Sequence, residues 1–158
     1  GGGALTMATD LDRNERTLRT RARRRALQAL YAWQISGYPM RQIEQQFAHE
    51  QASETADLDY FHGLIFGVEA ERERLDGALA AHLDRDIEQV DGVERAVLRL
   101  AAWELEHRRD VPYRVILNEA LELAKRFGGE QGHTFINGVL DQFAAGVRAP
   151  EYVAAGKR

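Results

Sequence analysis

Apolar residues recur every three to four positions along almost the whole chain, and no segment alternates apolar and polar residues with period two. That periodicity predicts an all-α fold. The prolines agree with it: only Pro39, Pro112 and Pro150 occur, each where a helix should begin or end. The first predicted helix covers about 17–36 and carries Ala26, Leu27, Leu30, Tyr31, Trp33 and Ile35 on its apolar face. Gly37 ends it, with Pro39 just beyond. A short helix is expected over 40–49, then a polar loop over 50–56. The longest helix, about 57–84, has one slot that breaks its apolar spacing, filled by Arg72. A short turn over 86–90 precedes Asp91 and Glu94, whose spacing reads as a capping box. The helix it opens should stop near 109. The next runs from Asp110 and Pro112 to the pair Gly128-Gly129. A last helix fills about 130–147, with Asn137-Gly138 kept helical because no strand pattern flanks it. The count is roughly seven helices.

The chain has 158 residues, 44% hydrophobic and 29% charged, which is enough apolar material for one globular core without staples. The globule is expected over 16–147. Gly1–Thr6 before Met7 read as a cloning remnant, 1–15 as a flexible lead and 148–158 as a flexible tail. Absence of cysteine excludes disulfides, thiolate zinc sites and cysteine nucleophiles. No apolar run approaches the ~18–20 residues that span a bilayer. No secretory signal is visible, so a cytoplasmic protein without membrane contact is expected.

Charge is distributed very unevenly. Between Arg13 and Arg25 stand seven arginines and one glutamate, in a chain whose net charge is −4. An acidic globule thus carries one basic arm. Crowded arginines repel, and a polyanion that neutralises them is the simplest reason to gather them. The competing reading is a solvated basic tail. Within the arm Arg24, Gln28 and Tyr31 fall at i, i+4 and i+7, so guanidinium, amide and phenol share one stripe. Guanidinium and aromatic planes stack on unpaired bases, and further arginines hold phosphates. Periodicity alone favours Tyr31 as a half-buried core residue and Phe135 as a core residue, although Phe135 sits slightly off the main apolar stripe of its helix. Arg99 lies opposite Val97 and Leu100 and should face solvent.

Catalysis finds little support. The five histidines share no metal-ligand spacing, neither of the two serines sits in a nucleophile elbow, and no phosphate-binding glycine loop occurs. No cofactor is expected.

The phrases RRALQALYAWQ, YFHGLIFGV, VERAVLRLAAWEL, DVPYRVILNEALELAKRFGGE and HTFINGVLD occur in that order and cover roughly 19–141. Together they resemble the NusB family of bacterial transcription antitermination factors. The resemblance implies two helical bundles packed across each other, about 16–84 and 85–147. It implies binding of boxA, a short single-stranded RNA of ribosomal-operon transcripts, jointly with the ribosomal protein NusE. That complex helps RNA polymerase read through termination sites and catalyses nothing itself. Carried over residue by residue, Arg19, Arg21 and Arg23 match the arginine-rich start and imply phosphate contacts. Tyr31 implies a base or sugar contact. Arg99 matches an arginine near the RNA path. Phe135 matches an aromatic at the RNA surface, and Gln131 lies in the loop that modulates RNA affinity. Glu88 and Glu94 match acidic positions facing NusE.

The chain departs from the family pattern in places. Arg24 and Arg25 make the arm more basic. His82 stands where an aromatic is found on the partner face. Gln131 stands where some members have an acid, and losing that negative charge should favour RNA. Two other readings stay open. NusB-like domains also occur ahead of RNA methyltransferase domains, although no βαβ pattern is present here. Some members pair with themselves, so a homodimer that masks its RNA surface is the alternative.

Overall fold

The structure, a computed structural model, describes residues 2–129 and 131–156. Among them are seven α-helices, two short 3-10 turns and no strand. The order is α1 (Gly2–Ser36), α2 (Met40–Gln45), a 3-10 turn at Ala48–Ala52, α3 (Leu58–Ala80), a 3-10 turn at Ile87–Gln89, α4 (Gly92–His107), α5 (Tyr113–Phe127), α6 (Gly132–Val147) and α7 (Ala149–Ala154). The all-α expectation holds.

α4 is the centre of the molecule. It packs against α1, α3, α5 and α6, and every residue from Ala96 to Ala102 is buried. The small side chains of Ala96, Ala101 and Ala102 let neighbouring helices approach on several sides. α1 lies against α3 and α4 and also touches α2 and α5, so its inner face is fixed while its outer face stays open.

α1 begins at Gly2, not near Thr17 as the sequence reading has it. Nothing between Gly3 and Gly37 breaks a helix, and Ala, Leu, Met, Arg and Glu all favour one. An i,i+4 pair between Glu15 and Arg19, 3.2 Å, adds support. α2 is shorter than expected and gives way to the 3-10 turn. α3 ends at Ala80 and kinks at Glu71 (φ −112°, ψ 16°). The kink explains Arg72: the inward face shifts there, Arg72 is exposed, and Leu75 and Leu79 resume the core.

The Glu71 carboxylate accepts hydrogen bonds from Arg74 and from Trp103 Nε1 (3.0 Å), and it lies 2.7 Å from His107 Nε2. Trp103 in turn fills the space over Gly67, where an added Cβ would fall inside the indole. Gly63, one turn earlier, has only an ordinary contact at 3.9 Å. Gly67→Ala should therefore cost about 1–3 kcal/mol by overpacking. Gly63→Ala should be neutral or gain up to about 1 kcal/mol from helix propensity. Chemical denaturation of the two variants side by side checks this, and equal stabilities would refute it.

The chain end also departs from expectation. Arg148, read as the start of a frayed tail, is 1% exposed. Its guanidinium donates to the carbonyls of Leu105 (2.7 Å), Arg108 (2.8 Å) and Val111 (3.0 Å) and to Glu151 (2.6 Å). Glu151 then accepts from the Tyr113 backbone N–H at the start of α5, 3.0 Å. The terminal helix is tied to the α4–α5 corner by these bonds.

Candidate nucleic-acid interface

Because α1 turns about 100° per residue, its arginines point in different directions and meet different fates. Arg23 faces inward and is 2% exposed. Its Nε donates to both oxygens of Glu104, 2.9 and 3.0 Å, and Glu104 also accepts from the Tyr60 hydroxyl. Burial and the neighbouring carboxylate push the Tyr60 phenol well above its ordinary range. The guanidinium groups of Arg108, Arg19 and Arg23 lie 4.5, 4.8 and 5.2 Å from the centre of the Tyr60 ring. A phosphate role for Arg23 is therefore corrected: its charge is spent in the core, on a partner 81 positions away.

Arg25 is buried as well. It pairs with Glu50 (3.4 Å), donates to Gln51 (2.8 Å) and binds the backbone carbonyls of Glu50 and Glu54. Arg19 is half-buried among Glu15, Asp57 and Asp110. Arg21 and Arg24, also half-buried, both reach the Glu54 carboxylate. The polyanion that the arginine run calls for is thus partly internal, supplied by residues 50–54 and by α4.

What remains open is one stripe. Arg13, Arg16, Thr20, Gln28 and Tyr31 are exposed on α1, with Arg24 half-exposed among them. Arg13 and Arg16 carry no ion pair among the described residues, and they line a shallow groove of about 410 Å³ with Thr17, Thr20, Arg21 and Arg24. Thr20 and Arg24 also border a second groove of about 450 Å³, walled on the other side by Asn118, Glu122 and Arg126 of α5. Sequence reasoning passed over Arg13, Arg16 and Arg126. The signal for the first two was their spacing of three and four ahead of Thr20 and Arg24.

Tyr31 is 41% exposed and lies over Gly92, where a Cβ would come within 3.0 Å of its ring. Just beyond, the Asp91 carboxylate caps α4 by accepting from the N–H groups of Val93 and Glu94, 3.1 and 3.3 Å. The Glu94 side chain turns instead toward Gly132 of α6, which has no room for a Cβ beside that carboxylate. Burial, with Asp91 nearby, raises the Glu94 pKa above its ordinary value. Gln131 is exposed at the start of α6. Phe135, one turn on, is half-buried against the core and covered by the Arg85 guanidinium at 4.9 Å. Tyr31, Glu94 and the start of α6 are therefore brought together along one seam.

Arg99 does not face solvent. It is 3% exposed and donates to Asp76 through Nε and Nη2 (2.9 and 2.8 Å) and to Gln34 through Nη1 (2.9 Å). The face of α4 opposite Val97 and Leu100 is covered by α1 and α3, which the local pattern does not reveal. Glu88, largely exposed, reaches Arg99 at 3.4 Å and Arg95 at 3.7 Å. His82 lies apart from these, half-buried edge-on to Phe143 with Nδ1 3.3 Å from Gln142. Among the described residues no cluster of side chains could hold a metal ion. Among the described residues no helix is long and apolar enough to cross a membrane.

Residues 20–145 match the sequence model of the NusB family. The chain belongs to the NusB family. The transcription antitermination protein NusB of Xanthomonas axonopodis pv. citri (strain 306) is 63% identical over 139 residues, covering 88% of this chain and 87% of that protein. Among solved structures, NusB of T. maritima superposes with a TM-score of 0.76 at 28% identity, over 85% of this chain and 96% of that one. A NusB solved with NusE in complex with dsRNA gives the same TM-score at 25% identity, over 82% and 98%. The role carried by these relatives' name is transcription antitermination.

Proposed function

We propose that this chain is a transcription antitermination factor that binds boxA RNA of ribosomal-operon transcripts together with NusE, within an antitermination complex on RNA polymerase. It has no catalytic step of its own and works in the cytoplasm. The observation that carries the reading is the outer stripe of α1, where cations, hydroxyls, an amide and a phenol follow one another from Arg13 to Tyr31 beside an open groove. Single-stranded RNA is held by such a combination of phosphate contacts and stacking surfaces. The relative solved with NusE and dsRNA supports it from outside.

In this reading Arg21 and Arg24 contact phosphates, joined by Arg13 and Arg16. Arg19 works from the margin of the buried cluster. Tyr31 stacks on a base or sugar, and Gln131 and Phe135 extend the track onto α6. Arg99 is a positioning residue that fixes Gln34 and Glu88 and does not touch RNA. Glu88 and Glu94, with His82 at the periphery, face the basic protein partner.

Fluorescence anisotropy with a short boxA RNA, with and without NusE, tests this across a salt series. Tyr31→Ala should weaken binding by about 1–3 kcal/mol. Arg24→Ala should weaken it and flatten the salt slope by about 0.7, the share of one phosphate contact on a single strand. Arg24 is half-buried and Tyr31 packs on Gly92, so thermal unfolding of both variants is recorded alongside to separate lost binding from lost stability. Full affinity in both variants would overturn the placement of RNA on α1. A homodimer is the second reading, favoured by Ile35 and Tyr38, which are exposed beyond Tyr31 at 64% and 52%. Light scattering that finds a dimer dissolved by RNA or NusE would support it.

A further inference from the structure

The segment that follows α2 lies against α1 through two kinds of bond. The first kind anchors it. Buried Arg25 donates to the Gln51 side chain at 2.8 Å and to the backbone carbonyls of Glu50 and Glu54. Gln51 returns two bonds to Ala56, accepting from its N–H at 3.1 Å and donating to its carbonyl at 3.2 Å. Arg21 donates to the Thr55 carbonyl at 3.1 Å. None of these needs the Glu54 carboxylate. The second kind involves that carboxylate alone: one oxygen pairs with Arg24, and the other lies 3.8 Å from Arg21 Nε. Arg21, Arg24 and Glu54 have side chains 33%, 21% and 43% exposed, so all three are in contact with water.

Ion pairs as exposed as these add little to folding. Their position is more telling than their strength. Arg21 and Arg24 line the groove beside Arg13 and Arg16, which carry no ion pair among the described residues, and the single Glu54 carboxylate is shared by the two that sit next to the segment. A carboxylate bidding for the same guanidinium groups as a phosphate is a competitor for that phosphate. We infer that Glu54 is a built-in anionic competitor: it occupies Arg21 and Arg24 in the free protein and must be displaced when an RNA phosphate docks. The inference rests on the RNA-binding reading above and adds to it a residue that limits affinity. Because the backbone carbonyls hold the segment independently, the carboxylate can swing out without the segment detaching. The free energy of breaking its two pairs is then subtracted from RNA binding.

The test is Glu54→Gln, with Glu73→Gln as a control. Glu73 is exposed on α3 and changes net charge by the same amount away from the groove. Affinity for a short boxA RNA is measured over a salt series, alongside thermal unfolding. Glu54→Gln should bind about three- to tenfold tighter, the range expected from releasing two half-exposed ion pairs. Its salt slope should stay within about 0.7 of that of the unsubstituted chain, because the same arginines take phosphates in both once Glu54 is displaced. Its melting temperature should stay near that of the unsubstituted chain, and Glu73→Gln should bind within about twofold of it. Equal affinity in Glu54→Gln and the unsubstituted chain, with RNA bound by both, overturns the competitor while leaving the RNA site intact. An equal gain in Glu73→Gln overturns it too, by reducing the effect to net charge. No binding by any of the three removes the RNA reading and the competitor together.

Discussion

Arg23→Ala should destabilise the chain by about 3–5 kcal/mol, the range for removing one partner of a buried ion pair. The cause is what remains. Glu104 is 2% exposed and would keep only the Tyr60 hydroxyl as a close partner. Arg23 also reaches Glu119 at 3.4 Å and the Tyr60 oxygen at 3.2 Å, so its loss opens the network on three sides. For a protein of this size each kcal/mol moves the melting temperature by about 2–4 °C, so a drop on the order of 10 °C is expected. Apolar replacement of the whole group, Arg23→Met with Glu104→Leu and Tyr60→Phe, should recover most of the loss, because no unpaired charge is left behind. Urea denaturation reads both. A single variant within about 1 kcal/mol of the unsubstituted chain would mean that water reaches Glu104 and that the pair is not a core element.

Arg148→Ala should cost a comparable amount, about 3 kcal/mol. The guanidinium satisfies three main-chain carbonyls at the end of α4 and in the turn that follows it. Each buried carbonyl left without a donor costs about 1–3 kcal/mol, less where water enters. The last carbonyls of any helix lack intrahelical partners, and here a side chain from the far end of the chain supplies them. Arg148→Lys should recover little, since one ammonium cannot present the planar fork that reaches several oxygens at once. Deleting everything after Val147 should do the same damage as Arg148→Ala. Calorimetry that finds the truncated chain as stable as the intact one would return these residues to the status of a tail.

Most helices were legible because their cause is local. Apolar spacing sets the buried face, Gly37 and Pro39 stop α1, and Asp91 caps α4, and each of these acts within a few residues. The buried arginines were not legible, for the opposite reason. Arg23, Arg99 and Arg148 find their carboxylates or carbonyls on other helices, up to 81 positions away for Arg23. A local pattern assigns a guanidinium to the surface, because that is where an unpartnered one must be. The same limit applies to the candidate site. The stripe of Arg24, Gln28 and Tyr31 was readable from spacing alone, and the structure leaves Tyr31 and Gln28 open. Nothing local indicated that residues 50–54 would cover the other side of the arm.

The seam between α1, α4 and α6 leaves no slack. Tyr31 rests on Gly92, and two residues further on Glu94 rests on Gly132, beside Gln131. A molecule that grips the Tyr31–Gln131 side and one that grips the Glu88–Glu94 side would press on the same three helix ends. Where two such ligands are coupled through this seam, the linkage is reciprocal. Whatever factor the protein partner adds to RNA affinity, RNA adds to the partner's affinity, so either one arriving first would recruit the other.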